Sequence, residues 1–120
     1  MSYSIQIFDP KVRAEVERGV EIDSFEHPNL DMLEVEKFLT RLVAYGYKLE
    51  SSSPLLKEYV KVVDNCPITV AVFPTLIAFS IPYWREMGDA LFEALQDASE
   101  LTDSGKFSLF NPQENSWSDG

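Results

Sequence analysis

The chain has 120 residues, enough for one domain with an apolar core, and 45% of them are hydrophobic, an ordinary share for a globular protein. The formal net charge of −10 is large for this length and unevenly distributed, since residues 1–61 carry −3 and residues 62–120 carry −7. Such a field repels nucleic acid and anionic membranes and attracts basic surfaces. We therefore expect neither a nucleic-acid nor a membrane partner.

The first third of the chain predicts a strand followed by a short helix. Residues 3–8 alternate apolar and polar side chains, which is typical of a strand. Asp9 and Pro10 then supply a helix N-cap and a proline at the first helical position. Gly19 is placed to end this helix in the left-handed conformation, before a loop over residues 20–30.

A second helix is predicted after that loop. Asp31 and Glu34 have the spacing of a capping box, with aspartate in place of the usual serine or threonine, and an apolar stripe follows them. Gly46 closes this helix, and residues 47–51 predict a second strand. A proline at a first-turn position, followed by apolar residues, favours a short helix over residues 54–63.

The strongest strand signal comes next. Residues 68–72 and 77–81 each place apolar side chains at alternate positions, and the Phe-Pro-Thr segment between them predicts a hairpin. Both faces of this pair are largely apolar, so we expect it in the centre of the sheet. A last short strand is predicted over residues 106–110, and residues 112–120 are expected to form a polar tail anchored at most by Trp117.

A helix over about residues 84–102 carries the most site-like pattern in the sequence. Five carboxylates recur on it at steps of three or four residues: Glu86, Asp89, Glu93, Asp97 and Glu100. At 100° per residue they fall within a sector about 80° wide. The side roughly opposite is apolar and is expected to be buried: Met87, Leu91, Ala94, Leu95, Ala98 and Leu101.

Two interpretations of this acidic face remain open. Glu86 and Asp89 lie in the first turns, where the helix dipole favours negative charge, so they need no function. Asp97 and Glu100 face the negative end of the dipole, and like charges four residues apart repel, so the face carries an electrostatic cost. It is either a solvated surface or a docking surface for a basic partner.

The neighbours of the acidic face bear on that choice. In the first interpretation, a cation from another part of the chain offsets the electrostatic repulsion within the acidic face; the candidates are Arg13, Arg41 and Lys48. In the second, Trp84 is an exposed aromatic anchor at the start of the helix. Trp84, and Phe92, which lies off the main apolar stripe, are otherwise expected to pack in the interior, with an aromatic anchor for the partner as the alternative role of each.

The sequence offers little catalytic chemistry. His27, the single histidine, lies in a loop with no nucleophile nearby and is interpreted as a surface residue, with a general base as the alternative. Cys66, the single cysteine, lacks the neighbouring cations that lower a thiol pKa and is interpreted as a buried structural thiol. No glycine-rich phosphate loop, nucleophile elbow or zinc spacing is present, so we expect no catalytic residue, metal or cofactor.

The cysteine count and the hydrophobic segments predict the cellular compartment. A single cysteine excludes an intrachain disulfide, and with no secretory hydrophobic segment it predicts a cytoplasmic protein. The longest apolar stretch, residues 68–81, is interrupted by a proline and polar residues, so no membrane span is expected.

These elements define a fold class. Helices segregated from a mostly antiparallel sheet make a two-layer α+β fold, with about five strands packed against two main helices. One domain is expected over residues 1–111. A ferredoxin-like arrangement, with the first and last strands adjacent in the middle of the sheet, is one topology that fits.

The two ends of the chain resemble a known group of proteins. Residues 2–10 read SYSIQIFDP and residues 107–117 read FSLFNPQENSW. Both are similar to the ends of small, acidic bacterial proteins that begin with a Ser-Tyr strand and end with an Asp-Pro-Gln turn, where this chain has Asn111. Some of these proteins resemble immunity proteins that neutralise secreted bacterial toxins, so the resemblance implies an inhibitory, protein-binding role.

Three functional hypotheses follow. The leading one is a small cytoplasmic binding protein, an immunity-type inhibitor whose carboxylates mimic phosphate spacing and occlude a basic toxin or nuclease. The alternative is a small-ligand-binding or enzymatic α+β domain with a pocket between sheet and helices. The third is a homodimeric structural protein that associates through the open face of the sheet.

Overall fold

A computed structural model describes residues 2–63, 65–82, 88–102, 106–114 and 116–118. Three helices lie in these ranges: α1 (Pro10–Glu17), α2 (Met32–Ala44) and α3 (Gly88–Leu101). The same ranges contain seven strands: β1 (Ser2–Phe8), β2 (Lys48–Ser53), β3 (Leu56–Val63), β4 (Cys66–Val72), β5 (Leu76–Pro82), β6 (Ser108–Asn111) and β7 (Ser116–Ser118).

All seven strands form one antiparallel sheet in the order β2-β3-β4-β5-β1-β6-β7. The predicted α+β class is confirmed, although the described residues contain seven strands where about five were expected, and the short helix α1 lies beside the two main helices. The first strand does lie beside the strand predicted as the last, β6. The sheet is nevertheless not ferredoxin-like, because β2 to β5 form an uninterrupted meander of hairpins.

Local capping signals explain where α1 and α2 begin and end. Asp9 accepts a hydrogen bond from the backbone N–H of Lys11 at 2.9 Å, and Asp31 accepts one from the N–H of Leu33 at the same distance. Gly19 and Gly46 follow the two helices with φ of +97° and +100°, the left-handed conformation that a side chain disfavours. The predicted limits of both helices are confirmed.

The helix predicted over residues 54–63 is wrong, because this segment forms β3. Pro54 and Leu55 form the turn of the β2–β3 hairpin instead of the first turn of a helix. After this turn Tyr59 pairs with Val70 of β4 and lies on the helix-bearing face. The valines of this segment are β-branched and favour a strand, and pairing on both sides outweighs the local helix signal.

The segment expected as a polar tail contributes a strand to the sheet, and Trp117 anchors it, as the expectation allowed. Ser116–Ser118 forms β7, which pairs with β6 at the edge of the sheet. The ring of Trp117 lies 4.8 Å from that of Phe110 and 6.0 Å from that of Phe8, measured between centroids. These aromatic contacts hold the last strand on the body of the protein.

Two apolar cores lie on opposite faces of the sheet. The main core lies on the face that carries α2 and α3, where Phe38 packs edge-on against Phe79 and Phe107. The second core, around Phe8, Val12 and Phe110, lies on the other face under α1 and the loop that follows it. In the described part of the chain, no helix is long and apolar enough to cross a membrane.

Candidate functional site: the acidic helix and an apolar groove

The acidic face of α3 is only partly exposed to solvent. Asp89 is exposed, Glu93 is half-buried, and Asp97 is only 5% exposed. Glu86 and Trp84, the other two predicted residues at the start of this face, lie outside the described residues. The expectation that these carboxylates form one solvated ridge is wrong for Asp97, because α3 turns this flank toward β3.

Lys61 of β3 neutralises the centre of the acidic face. Its Nζ lies 2.9 Å from Oε2 of Glu93 and 3.0 Å from Oδ2 of Asp97. The hydroxyl of Tyr47 donates a second hydrogen bond to Oδ2 of Asp97 at 3.0 Å, and Lys61 Nζ lies 5.1 Å from the centre of the Tyr47 ring. Tyr47, Lys61, Glu93 and Asp97, the Lys61 cluster, therefore bind one another and join α3 to the edge of the sheet.

The pKa values of the two proton donors in the Lys61 cluster, Tyr47 and Lys61, are both raised. Burial, together with the negative charge of Asp97, raises the pKa of Tyr47 far above its usual value. Burial alone would lower the pKa of Lys61, but the hydrogen bonds that Lys61 donates to Glu93 and Asp97, together with the negative charge of both carboxylates, outweigh it and raise the pKa. A lysine and a tyrosine in these states are poor bases and nucleophiles near neutral pH, so the cluster is suited to holding elements together.

The last predicted carboxylate, Glu100, is hydrogen-bonded to Tyr45, the residue that caps the C-terminal end of α2. The hydroxyl of Tyr45 donates to Oε1 of Glu100 at 2.9 Å, and this hydrogen bond is the main reason that the pKa of Tyr45 is raised. Arg41 donates from Nη2 to the backbone carbonyl of Glu100 at 2.8 Å. Arg41, one of the three predicted relieving cations, thus satisfies a carbonyl at the negative end of the helix dipole.

The outer surface of α3 carries an aromatic side chain that was expected to be buried. Phe92 is 71% exposed, and it shares this surface with Asp89 and Gln96, which lie three residues before it and four residues after it. The expectation of interior packing is wrong, because the residues that face the sheet are the small ones, Ala90, Ala94 and Ala98.

A second surface feature was not predicted. An apolar groove of about 320 Å³ lies between the first half of α2, the β2–β3 turn and the β4–β5 turn. Its rim carries Met32, which is 78% exposed, and Leu55, which is 70% exposed. The apolar part of the groove wall consists of Leu30, Met32, Val35, Leu39, Pro54, Leu55, Leu56, Val72, Phe73 and Pro74.

Two features define the frame of this groove. The backbone N–H of Leu30 donates to the carbonyl of Pro74 at 2.9 Å, which fixes the start of α2 against the β4–β5 turn. Glu36 and Lys57 line opposite sides of the groove, and neither forms an ion pair with another described residue. The groove is therefore apolar at its centre, with one acidic and one basic side chain at its edges.

His27 and Cys66 lie on opposite faces of the sheet, so they form no catalytic pair. His27 is half-buried in the second core, where its ring contacts those of Phe8 and Phe25 and its Nε2 hydrogen bonds to the carbonyl of Ile22. It is not the surface histidine that was expected. Cys66 is buried in the main core, as predicted, and burial raises the pKa of its thiol.

Lys61 is the partner of the acidic face that the sequence analysis did not identify. In a strand, Lys61 shares a face with the buried Tyr59, and a cation on an apolar face requires a carboxylate partner. The shared face of Lys61 and Tyr59 does not follow when residues 54–63 are interpreted as a helix, so the need for a carboxylate partner is not recognised. Within the described ranges, no group of three histidine, cysteine, aspartate or glutamate side chains is arranged to hold a metal ion.

These features define an α+β protein whose described surface carries an apolar groove and an exposed aromatic side chain near carboxylates. Comparison with protein-family models, with curated proteins and with solved structures finds no match.

Proposed function

We propose that this protein is a small binding protein that captures a basic protein partner, as an immunity-type inhibitor does. The observation that carries the proposal is the apolar groove between α2 and the two turns. Large apolar side chains that gather at one exposed place are typical of sites where a partner anchors. Met32 is a flexible rim residue of the kind that adapts to an incoming side chain.

Charge supplies the preference for a basic partner. The net charge of −10 attracts a basic surface and accelerates the first encounter, while the groove provides apolar contact. In this proposal Glu93 and Asp97 do not dock the partner, since they are bound to Lys61. Asp89 and the exposed Phe92 remain accessible for a guanidinium group from the partner.

Matched variants on the purified protein test this proposal. Met32→Ser with Leu55→Ser removes the rim of the groove, whereas Leu33→Ser with Leu49→Ser removes two exposed side chains of similar size that do not line it. Each protein is immobilised and exposed to lysate from the source cells, and stoichiometric partners are identified by mass spectrometry. We expect the wild type and the Leu33/Leu49 variant to retain one basic protein that the Met32/Leu55 variant loses.

The same experiment can contradict the proposal. Equal recovery by all three proteins would show that the groove is not the docking site. A retained partner of acidic charge would exclude electrostatic capture. Binding that does not weaken as salt is raised would also exclude it, because steering between unlike charges is screened by salt.

A second candidate function is the binding of a small apolar molecule in the same groove. Its volume of about 320 Å³ lies at the lower end of the range of ligand pockets, and its lining is mostly apolar. Native mass spectrometry of the purified protein tests it. A bound mass that is present in the wild type and absent from the Met32/Leu55 variant would support it, and a bare chain in both would contradict it.

A further inference from the structure

The two facing walls of the apolar groove present the same order of side chains. On one wall, Met32 and Glu36 lie four residues apart on α2 and share one side of the helix. On the other wall, Leu55 lies in the β2–β3 turn and Lys57 follows near the start of β3, where it pairs with Val72 of the groove lining. Each wall therefore carries an exposed apolar side chain and then an exposed charge, negative on α2 and positive on β3.

Glu36 and Lys57 have no counter-charge among the described residues. Neither forms an ion pair there, and the two do not pair with each other across the groove. Other charged side chains on the same two elements are paired, since Lys37 binds Glu34 on α2 and Lys61 of β3 is held in the Lys61 cluster. The groove thus keeps two opposite charges that an incoming molecule can meet.

Hydrogen bonds at both turns fix the shape of the groove. In the β4–β5 turn the backbone N–H of Phe73 donates to the carbonyl of Leu76 at 2.8 Å. In the β2–β3 turn the hydroxyl of Ser53 donates to the carbonyl of Leu56 at 3.2 Å. A groove whose walls are already in place loses little conformational entropy on binding, so its side chains can recognise the shape and charge of a ligand.

We infer that the groove binds a partner segment in which an acidic and a basic side chain lie close together, beside one or two large apolar side chains. The apolar side chains fit between Met32 and Leu55, the basic side chain reaches Glu36, and the acidic side chain reaches Lys57. An uncharged apolar molecule would leave both charges unmatched, and a purely basic segment would be repelled by Lys57. The inference rests on the proposed function, because both require a protein segment in the groove.

The apolar contacts and the two charges have different roles in this binding. Burial of apolar side chains provides most of the affinity, whereas an exposed ion pair adds no more than about fivefold because water screens it. A segment of the wrong sign meets repulsion where the right one meets attraction, so the charges mainly exclude incorrect segments. We therefore expect the reversal of one groove charge to weaken binding by about three- to tenfold.

A library of short random peptides displayed on phage, selected on the immobilised full chain, tests the inference without the natural partner. Phages that also bind the variant Met32→Ser with Leu55→Ser are removed, so the remaining peptides bind at the groove. We expect these peptides to share large apolar side chains with an acidic and a basic residue close by. One of them is synthesised, and its dissociation constant is measured by isothermal titration calorimetry.

Matched charge reversals identify the groups that the peptide meets. Glu36→Lys and Lys57→Glu are each expected to weaken binding by about three- to tenfold. Glu50→Lys and Lys48→Glu make the same changes of net charge at exposed positions of β2 that do not line the groove, and they are expected to have a smaller effect. A peptide whose basic residue is exchanged for glutamate is expected to bind Glu36→Lys more tightly than the wild type.

The outcomes separate this inference from the proposed function. If no selected peptide depends on Met32 and Leu55, the groove takes no protein segment, and both are overturned. If groove-dependent peptides lack the two charges, or if Glu36→Lys weakens them no more than Glu50→Lys does, only the inference is overturned. Binding that follows the charge reversals supports the inference, whether or not a lysate yields a partner.

Discussion

At the scale of single residues, the Lys61 cluster decides how the acidic helix is held. Lys61 is charged and only 17% exposed, so its desolvation is offset only if its partners remain charged and in place. Asp97 is the more buried of its two carboxylates and also accepts the hydrogen bond of Tyr47. It is therefore the member whose loss leaves most polar atoms without a partner.

The first prediction concerns Asp97. Asp97→Asn removes the charge that faces Lys61 and is expected to lower the free energy of unfolding by about 2–4 kcal/mol, measured by urea denaturation. Asp89→Asn is the matched control on the same helix, where Asp89 is exposed and only its interaction with the helix dipole is lost, a change below about 1 kcal/mol. Equal effects of the two variants would show that the cluster contributes no special stability.

The second prediction concerns alkaline pH. The pKa values of Tyr47 and Lys61 are raised in the folded protein, so above about pH 10 the unfolded chain releases protons that the folded chain keeps. The unfolded state then binds fewer protons than the folded one, and the free energy of unfolding falls as pH rises. Below the unfolded pKa values this contribution is fully present, so it imposes no loss near neutral pH.

Tyr47→Phe isolates one of the two protons. Its free energy of unfolding is expected to fall less steeply above pH 10 than that of the wild type, by up to about 1.4 kcal/mol per pH unit, which corresponds to one proton. Urea denaturation between pH 8 and pH 11 measures both slopes. Parallel slopes would mean that Tyr47 ionises as readily in the folded protein as in the unfolded one.

At the scale of elements, the sequence predicts the ends of the helices, because these depend only on neighbouring residues. Asp31 caps the start of α2 by hydrogen bonds to nearby N–H groups, and Gly46 follows its end in the left-handed conformation. Both effects involve only neighbouring residues, so the sequence is sufficient to predict the limits of this helix. The segment over residues 54–63 is different, because its strand exists through pairing with β2 and β4. A proline followed by apolar residues does not reveal that pairing.

The acidic helix shows the same division. The 3.6-residue period correctly placed Ala94, Ala98 and Leu101 in the interior. It could not distinguish an exposed flank of α3 from one that contacts another element, so Asp97 was assigned to solvent. That distinction required the position of Lys61, which in turn required β3.

At the scale of the whole molecule, the order of the strands in the sheet could not be predicted from the sequence. β1 pairs with β5 along its whole length and with β6 on its other side, although many residues of chain separate them. The pattern of β4 and β5 did indicate a central position, since both faces are largely apolar. It did not indicate which strands are their neighbours, nor that residues 116–118 complete the sheet.

Net charge is also a property of the whole molecule, and it carries the last prediction. A charge of −10 on one compact chain repels itself, and this repulsion is relieved when the chain unfolds and expands. Salt screens exposed charges over about 10 Å at 0.1 M but acts less on buried pairs such as Lys61 with Asp97. We therefore expect the melting temperature to rise by a few degrees when sodium chloride is increased from about 0.02 to 0.2 M.

Two sets of variants test this origin of the salt dependence. Glu21→Gln, Asp23→Asn and Glu26→Gln neutralise three exposed loop carboxylates without an ion pair among the described residues, changing the net charge from −10 to −7. They are expected to raise the melting temperature at low salt and to reduce its dependence on salt. Lys11→Gln, Lys48→Gln and Lys57→Gln change the net charge to −13 and are expected to have the opposite effect on both quantities. A melting temperature that falls with salt would show instead that attractive surface pairs outweigh self-repulsion, since screening weakens whichever interaction dominates.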